Sequence, residues 1–179
     1  MMKSIALRLC VLFVFCCTML NGTAKVAVVT GEPEKGSVVE RIIDEAKKYI
    51  GTPYRWGGKT PSGFDCAGFT RYIFSKFGLT LAPSAAPQYK AGTSVKKGDL
   101  RPGDLVFYGG RKGSRSIGHV GIVTSVEDNG FHFIHAASKG VTISSSNEAY
   151  YSKRYICACR VVDRLSNNGE ELCEKTPSK

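Results

Sequence analysis

The residues best suited to chemistry are one cysteine and two histidines. Cys66 follows Asp65, a residue type that often caps a helix, so we expect the thiol in the first turn of a helix. Free backbone N–H groups and the helix dipole at that end favour the thiolate and predict a lowered thiol pKa. His119 and His135 lie in two segments that resemble β-strands. A thiolate beside a histidine that a second polar group orients is the general arrangement for acyl transfer.

The alternation of side chains along a strand predicts that the two histidines lie together. In the segment 131–135, His135 shares a face with two phenylalanines. His119 begins the preceding segment, and a turn at 128–130 joins the two. Adjacent strands would therefore bring His119 and His135 onto one face of a sheet.

These three residues lead to a hypothesis for catalysis. Cys66 attacks, His119 acts first as base and then as acid, and His135 orients His119. Backbone N–H groups at the helix terminus stabilise the oxyanion. Each residue taken alone has a plainer interpretation, because a lone cysteine is most often buried and inert and single histidines are most often packing or surface residues. Local chemistry by itself leaves both interpretations open.

Two helices and a set of strands would position these residues. Ser37 and Glu40 form the pattern of a capping box, and apolar residues at helical spacing follow as far as Gly51. A second helix is expected to begin at the Asp65 cap and to stop at Gly78. Strands are predicted at 105–108, 119–126, 131–136 and 155–162, with a short strand near 141–144 and a helical turn near 147–151. Because helices come first and strands second, the predicted class is α+β with an antiparallel sheet.

The first 24 residues have the pattern of a secretory signal. A basic start is followed by the apolar run 9–20 and by small residues up to Ala24. The run is shorter than the roughly 20 residues that a bilayer needs, although an uncleaved anchor is an alternative. A lipoprotein is a second alternative, which bulky Phe15 before Cys16 disfavours.

Removal of this signal changes the charge and the cysteine content of the chain. The full chain has 179 residues, seven cysteines and a formal net charge of +10. Loss of residues 1–24 leaves 155 of the 179 residues, removes Lys3 and Arg8 and lowers the charge to +8. This positive charge predicts attraction to polyanions such as nucleic acid, anionic lipid or an acidic cell-wall polymer, and export argues against nucleic acid. Four cysteines remain after cleavage, at positions 66, 157, 159 and 173.

Other clusters point less clearly to a site. Cys157 and Cys159 alternate in a strand without a second ligand pair for zinc, and either could bridge Cys173. The basic loop 109–118 lacks the Gly-Lys-Ser/Thr ending of a phosphate-binding loop. We therefore expect no metal or other cofactor. The chain divides into a signal peptide (1–24), a lead-in (25–36), a single domain (37–163) and a polar C-terminal tail (164–179).

Five motifs together resemble a known family. They occupy residues 51–58 (Gly-Thr-Pro-Tyr-Arg-Trp-Gly-Gly), 64–69 (Phe-Asp-Cys-Ala-Gly-Phe), 102–107 (Pro-Gly-Asp-Leu-Val-Phe), 118–123 (Gly-His-Val-Gly-Ile-Val) and 133–136 (Phe-Ile-His-Ala). In order and spacing they resemble the NlpC-type family of bacterial cell-wall cysteine peptidases. The resemblance covers roughly residues 38–162.

This resemblance implies a fold, an activity and roles for five residues. The fold is papain-like α+β, in which a helix with the cysteine packs on an antiparallel sheet with the histidines. The activity is hydrolysis of peptidoglycan stem peptides, most often at the bond between γ-D-glutamate and a diamino acid. By motif position Cys66 is the nucleophile, His119 the base and His135 the third polar residue. Tyr54 matches a tyrosine near the oxyanion site, and Asp65 matches an acidic residue that can meet a substrate ammonium.

The sequence departs from the family pattern in two places. Ala67 stands where serine is common, and Pro83 stands where relatives often have arginine. The alternatives are a related amidase that cuts before L-alanine and a wall-binding module without activity. The expected partner is peptidoglycan stem peptide, with no nucleic acid and no stable membrane insertion after signal cleavage. The protein is expected to be a monomer, exported to the periplasm, the cell envelope or the medium.

Overall fold

The computed structural model of the chain describes residues 36–165, except for positions 111, 112 and 114. The predicted signal, nearly all of the predicted lead-in and most of the predicted tail lie outside these residues. Of the predicted tail, Arg164 and Leu165 are described: the Arg164 guanidinium donates to the Ala91 carbonyl at 2.9 Å and Leu165 packs against the core. None of the helices in the described part is long and apolar enough to cross a membrane.

The described residues form four short α-helices. They are α1 (Val38–Lys47), α2 (Cys66–Ser75), α3 (Ala85–Tyr89) and α4 (Ala149–Ser152). The predicted capping box at α1 is confirmed, since Ser37 and Glu40 each accept a hydrogen bond from the other's backbone N–H. Asp65 caps α2 as predicted. Both helices end a few residues before Gly51 and Gly78, whose positive φ angles of 88° and 81° belong to the turns that follow.

Six antiparallel strands build one sheet with the order β3-β8-β4-β5-β6-β7. The strands are β3 (Thr93–Val95), β4 (Leu105–Gly109), β5 (Ile117–Glu127), β6 (Gly130–Ala137), β7 (Gly140–Ser145) and β8 (Tyr155–Arg160), and a separate hairpin pairs β1 (Lys59–Thr60) with β2 (Gly63–Phe64). Helices α1, α2 and α3 precede the main strands β4 to β8. The predicted α+β class with an antiparallel sheet is therefore confirmed.

The two faces of the sheet are packed differently. One face holds the main core, in which α2 residues such as Phe69 and Ile73 meet Val120, Ile122 and Ile134 of the sheet. The other face holds a smaller, largely aromatic cluster made of Leu100, Val106, Tyr108, Val123, Phe131, Phe133, Tyr151 and Ala158. Strand alternation separates the two sets, because odd and even residues of β6 point to opposite faces.

Helix α3, strand β3, the β1–β2 hairpin and a 3₁₀ turn at Lys97–Asp99 were not predicted from the sequence. Helix α3 contains Pro87, which is tolerated because it falls in the first turn, where its missing N–H is not needed. Strand β3 is three residues long and polar, and the β1–β2 hairpin has two residues on each side. Such short elements carry too few residues for a periodic pattern.

Candidate active site

Cys66 stands at the N-terminus of α2, which the Asp65 carboxylate holds in place. One oxygen accepts from the Gly68 N–H at 2.6 Å and the other from the Gly57 N–H at 3.0 Å. The same carboxylate thus caps the helix and fastens the loop 51–58 beside it. A Cβ at position 68 would overlap the Gly58 carbonyl, so glycine is needed for this close approach.

The sulfur of Cys66 lies against β5 where this strand is still paired with β4 but no longer with β6. The pairing of β5 with β6 ends at Ile122 and Ile134. Since the Val123 N–H points to β4, alternation turns the Val120 N–H to the opposite, unpaired side. The backbone of Val120 hydrogen-bonds to Cys66 there. The nucleophile candidate is therefore next to the residue that follows His119.

His119 and His135 lie together, as strand alternation predicted. Nε2 of His119 is 2.8 Å from Nδ1 of His135, and the two rings meet edge-on at 4.9 Å between centroids. A side chain at position 121 would lie 3.1 Å from the His135 Cβ and 2.6 Å from the Phe133 ring. The contact between the histidines therefore needs Gly121 between them.

Burial sets the protonation of the three groups. It lowers the pKa of His119 to about 4. Burial, and then the neighbouring His119, lower the pKa of His135 to about 3. Both rings are neutral at pH 7. Burial also raises the pKa of the Cys66 thiol, although backbone hydrogen bonds from Val120, Ala67 and Cys66 itself act in the opposite direction.

The expectation of a lowered Cys66 pKa is therefore wrong. The helix terminus does supply N–H groups to the sulfur, as predicted. The cost of removing a thiolate from water outweighs them, because the sulfur is partly buried against the main core. At rest the Cys66 thiol and both imidazoles are therefore neutral.

Tyr54 belongs to the same site. Burial raises the pKa of its hydroxyl, and the nearby Cys66 and Asp65 raise it further. The hydroxyl therefore stays protonated. Backbone hydrogen bonds hold the loop around it: Arg55 and Phe64 are joined at 2.9 Å, and Phe64 and Pro53 at 3.1 Å. Trp56 of the same loop is 91% exposed.

A buried polar network that the sequence did not reveal supports the first turn of α2. The amide nitrogen of Gln88 donates to the Ala67 carbonyl at 2.9 Å and to the Ala82 carbonyl at 2.8 Å. Its amide oxygen accepts from the Thr70 hydroxyl at 2.7 Å. Gln88 is fully buried, so this side chain ties α3 to the turn that carries Cys66. Glutamine is seldom buried, and only its position in an otherwise apolar segment could have drawn attention to it.

Two hydroxyl groups behind His135 were also not predicted. Nε2 of His135 is 3.2 Å from the Ser144 Oγ and 3.3 Å from the Tyr151 hydroxyl. Of the basic loop, Arg115 is exposed, while Arg111 and Lys112 lie outside the described residues. Cys157 and Cys159 of β8 are free thiols within the described residues. The predicted bridge from either of them to Cys173 is not tested, because Cys173 lies outside those residues.

Comparisons with known proteins agree on one family. The model of the NlpC/P60 family matches residues 51–160. The murein DD-endopeptidase/murein LD-carboxypeptidase MepS of Escherichia coli strain K12 is 45% identical over 129 residues, which cover 71% of this chain and 65% of that protein. A probable endopeptidase p60 of Listeria grayi is 44% identical over 104 residues, which cover 58% of this chain and 19% of that protein.

Solved structures show the same fold. The NlpC/p60 domain of the peptidoglycan hydrolase SagA superposes with a TM-score of 0.58 at 36% identity, covering 69% of this chain and 98% of that one. This likeness confirms the predicted papain-like α+β class. Because the family match spans residues 51–160 and includes Tyr54, Cys66, His119 and His135, the chain belongs to the NlpC/P60 family.

Proposed function

We propose that the chain is a peptidoglycan hydrolase, a cysteine endopeptidase that cuts stem peptides between γ-D-glutamate and a diamino acid through an acyl-enzyme on Cys66. The observation that carries the proposal is the position of Cys66 on the first turn of α2, hydrogen-bonded to the backbone of Val120. Val120 directly follows His119, whose ring is linked to His135. The names of two relatives support the substrate class, since MepS is a murein endopeptidase and SagA a peptidoglycan hydrolase.

The first step is attack of sulfur on the carbonyl carbon. Nε2 of His119 is engaged by His135, so Nδ1 is the nitrogen left to accept the Cys66 proton. As the S–C bond forms, the carbonyl electron pair moves to oxygen. Because both groups are neutral at rest, proton transfer accompanies the attack and does not precede it.

The second half returns each proton. Collapse of the tetrahedral intermediate breaks the C–N bond, and the His119 imidazolium protonates the leaving amine. A water molecule then gives a proton to His119 and attacks the thioester, and the released Cys66 sulfur takes that proton back. His135 holds the ring of His119 through both transfers.

The oxyanion would meet donors that already surround the sulfur. The N–H groups of Cys66 and Ala67 remain free of the cap, because Asp65 uses the N–H of Gly68. The Tyr54 hydroxyl, which stays protonated, is the third donor near this position.

Asp65 is proposed to contact a substrate ammonium as well as to cap α2. Its carboxylate is partly exposed, and each oxygen accepts one backbone hydrogen bond. A carboxylate oxygen has room for more than one donor. The free amine of a diamino acid would therefore find a negative charge next to the nucleophile.

A second candidate for the scissile bond comes from the relatives. MepS, at 45% identity, is named a DD-endopeptidase, and such an enzyme cleaves between two D-configured residues. The same cysteine chemistry serves either bond. A wall substrate further requires export, which agrees with the predicted signal at residues 1–24.

The test is incubation of the full chain with purified peptidoglycan, followed by mass spectrometry of the fragments. Cys66→Ala is the control for any contaminating hydrolase. Fragments that end in γ-D-glutamate, with a free amine on the diamino acid, are the expected result. Opening of crosslinks without such ends would support the DD-endopeptidase instead.

Two results would overturn the proposal. Stem peptides with a free L-alanine amine would identify an amidase. Binding to peptidoglycan without hydrolysis, equal in wild type and Cys66→Ala, would identify a binding module.

A further inference from the structure

The second ring nitrogen of His135 has partners that the proposed reaction does not use. Nδ1 faces His119, whereas Nε2 faces two hydroxyls, those of Ser144 at 3.2 Å and Tyr151 at 3.3 Å. His135 is fully buried, and Ser144 and Tyr151 are each 8% exposed. These hydroxyls are therefore largely removed from water and meet the ring from β7 and α4.

The direction of the protons follows from the role of His119. For His119 to accept a proton at Nδ1, its own proton must be on Nε2, and this N–H donates to Nδ1 of His135. A neutral His135 then carries its proton on Nε2. That proton needs an acceptor, and the hydroxyl oxygens of Ser144 and Tyr151 are within reach.

Packing holds the two hydroxyls in place. The Tyr151 ring meets the rings of His135 and Phe133 edge-on, at 5.3 Å and 4.9 Å between centroids, and Ser144 hydrogen-bonds to Tyr151. Ser144 stands opposite Phe133 in the β6–β7 register, on the face that His135 shares.

The turn between Ser144 and Tyr151 is also fixed. Phe131 and Ser146 exchange hydrogen bonds, with the Phe131 N–H donating to the Ser146 Oγ at 2.9 Å and the Ser146 N–H to the Phe131 carbonyl at 2.8 Å. The Ser145 N–H donates to the Glu148 carboxylate at 2.8 Å. The turn that links Ser144 on β7 to Tyr151 on α4 is thus fixed by hydrogen bonds, and so are the positions of the two hydroxyls.

We propose that Ser144 and Tyr151 are positioning residues, which fix His135 with its proton on Nε2 and so keep Nδ1 free to accept from His119. The role in turnover rests on the proposed function of His119 as base. The control of the His135 tautomer does not, because it follows from contacts within the protein.

The experiment compares Tyr151→Phe, Ser144→Ala and the double variant in the full chain. Tyr150→Phe is the matched control, because Tyr150 is the adjacent tyrosine and is 54% exposed. The measurements are kcat and KM on peptidoglycan fragments, thermal unfolding, and nitrogen-15 NMR of the His135 ring. The NMR measurement reports the tautomer without any need for activity.

Each single variant is expected to lower kcat about 3- to 10-fold, and the double variant about 10- to 100-fold, with little change in KM. The NMR spectrum of the double variant should show His135 as a mixture of tautomers. Tyr150→Phe should match the wild type in all measurements. Phenylalanine keeps the ring packing, so unfolding of Tyr151→Phe should remain cooperative.

A double variant that folds and retains the Nε2–H tautomer would overturn the inference. So would wild-type kcat in that variant, where the wild type is active. If the wild type does not hydrolyse peptidoglycan but the double variant shows a changed His135 tautomer, the proposed function is contradicted and the positioning role is supported.

Discussion

Cys66 and Cys159 are two thiols packed against the same core, yet their surroundings differ. Cys159 is fully buried on β8, where its thiol donates to the Gln88 carbonyl at 3.8 Å and burial raises its pKa to about 12. Burial raises the pKa of Cys66 as well. Only Cys66, of these two, stands at a helix N-terminus, and its backbone contact is Val120, the residue after His119 of the linked histidine pair.

From this difference we expect the reactivity of each thiol to depend on a nearby proton acceptor and on donors for a developing charge. Removal from water raises both thiol pKa values, so neither sulfur is a ready thiolate at rest. Cys66 has N–H donors around the sulfur and a base one residue away from its contact at Val120. Cys159 has a single backbone donor, at Gly92, and its proton meets the Gln88 carbonyl oxygen, which would repel a thiolate.

The largest expected effect separates the two thiols by activity. Cys66→Ala should lower hydrolysis by at least about 10³-fold, because it removes the nucleophile. Cys159→Ala should keep activity within about threefold, because this thiol has no role in the proposed reaction and Gln88 keeps its side-chain bonds to Ala67 and Ala82 without it. Rates on purified peptidoglycan give the comparison. Comparable losses in both variants would show that the contrast between the sites does not govern reactivity.

Much of this contrast could be predicted from the sequence, because its signals are local. The cap at Asp65 follows from one residue next to an apolar periodic segment. The pairing of His119 with His135 follows from the parity of two strands that a short turn joins, since alternation fixes the face of each side chain. The sequence also separates Cys159 from the site, because this cysteine lies in the strand segment 155–162, which contains no helix cap and no histidine.

What could not be predicted depends on distant segments. Gln88, Ser144 and Tyr151 reach the site through the placement of α3, the β6–β7 register and the fold of α4, and no local pattern contains these. The prediction of a lowered Cys66 pKa was wrong because that pKa, too, depends on packing between distant segments. The helix terminus is visible in the sequence, whereas the burial that outweighs it comes from packing of α2 on β5.

The second prediction tests whether the histidines beside Cys66 are neutral at rest. Their pKa values of about 4 and about 3 lie below the ordinary value of 6.5, so the unfolded chain binds more protons between these values. This contribution to stability is complete above pH 6.5 and is lost as the pH falls towards 4. The free energy of unfolding should drop by about 6 kcal/mol over that range, with about half from each histidine.

Urea unfolding of the wild type and of a His119→Asn, His135→Asn double variant at several pH values measures this contribution. The double variant should lose less stability on acidification. His132→Asn is the control, because that side chain is partly exposed near Glu127 and apart from the site. An equal pH dependence in the double variant and the wild type would mean that the pair is not held neutral.

The third prediction compares the accessible thiols by alkylation. His119→Ala should slow the reaction of Cys66 with iodoacetamide about 10- to 100-fold at pH 7.5, because the thiol loses its proton acceptor. Cys157, which is partly buried on β8, is the internal control and should react at an unchanged rate. Mass spectrometry of the alkylated peptides gives both rates from one sample. An unchanged rate at Cys66 would remove His119 as the base.

The smallest expected effect is on stability. Here Cys159→Ala should have the larger effect, whereas Cys66→Ala has the larger effect on activity. Cys159→Ala removes a sulfur that is enclosed on all sides, and the cavity should cost about 1 to 2 kcal/mol. Cys66→Ala should cost less than about 1 kcal/mol, because its sulfur is only partly enclosed. In Cys66→Ala the backbone N–H groups around the sulfur also lose a weak acceptor, and water can take its place. Urea midpoints at pH 7.5 should therefore fall more for Cys159→Ala. A larger loss for Cys66→Ala would mean that the sulfur of the proposed nucleophile also serves to hold α2 on β5.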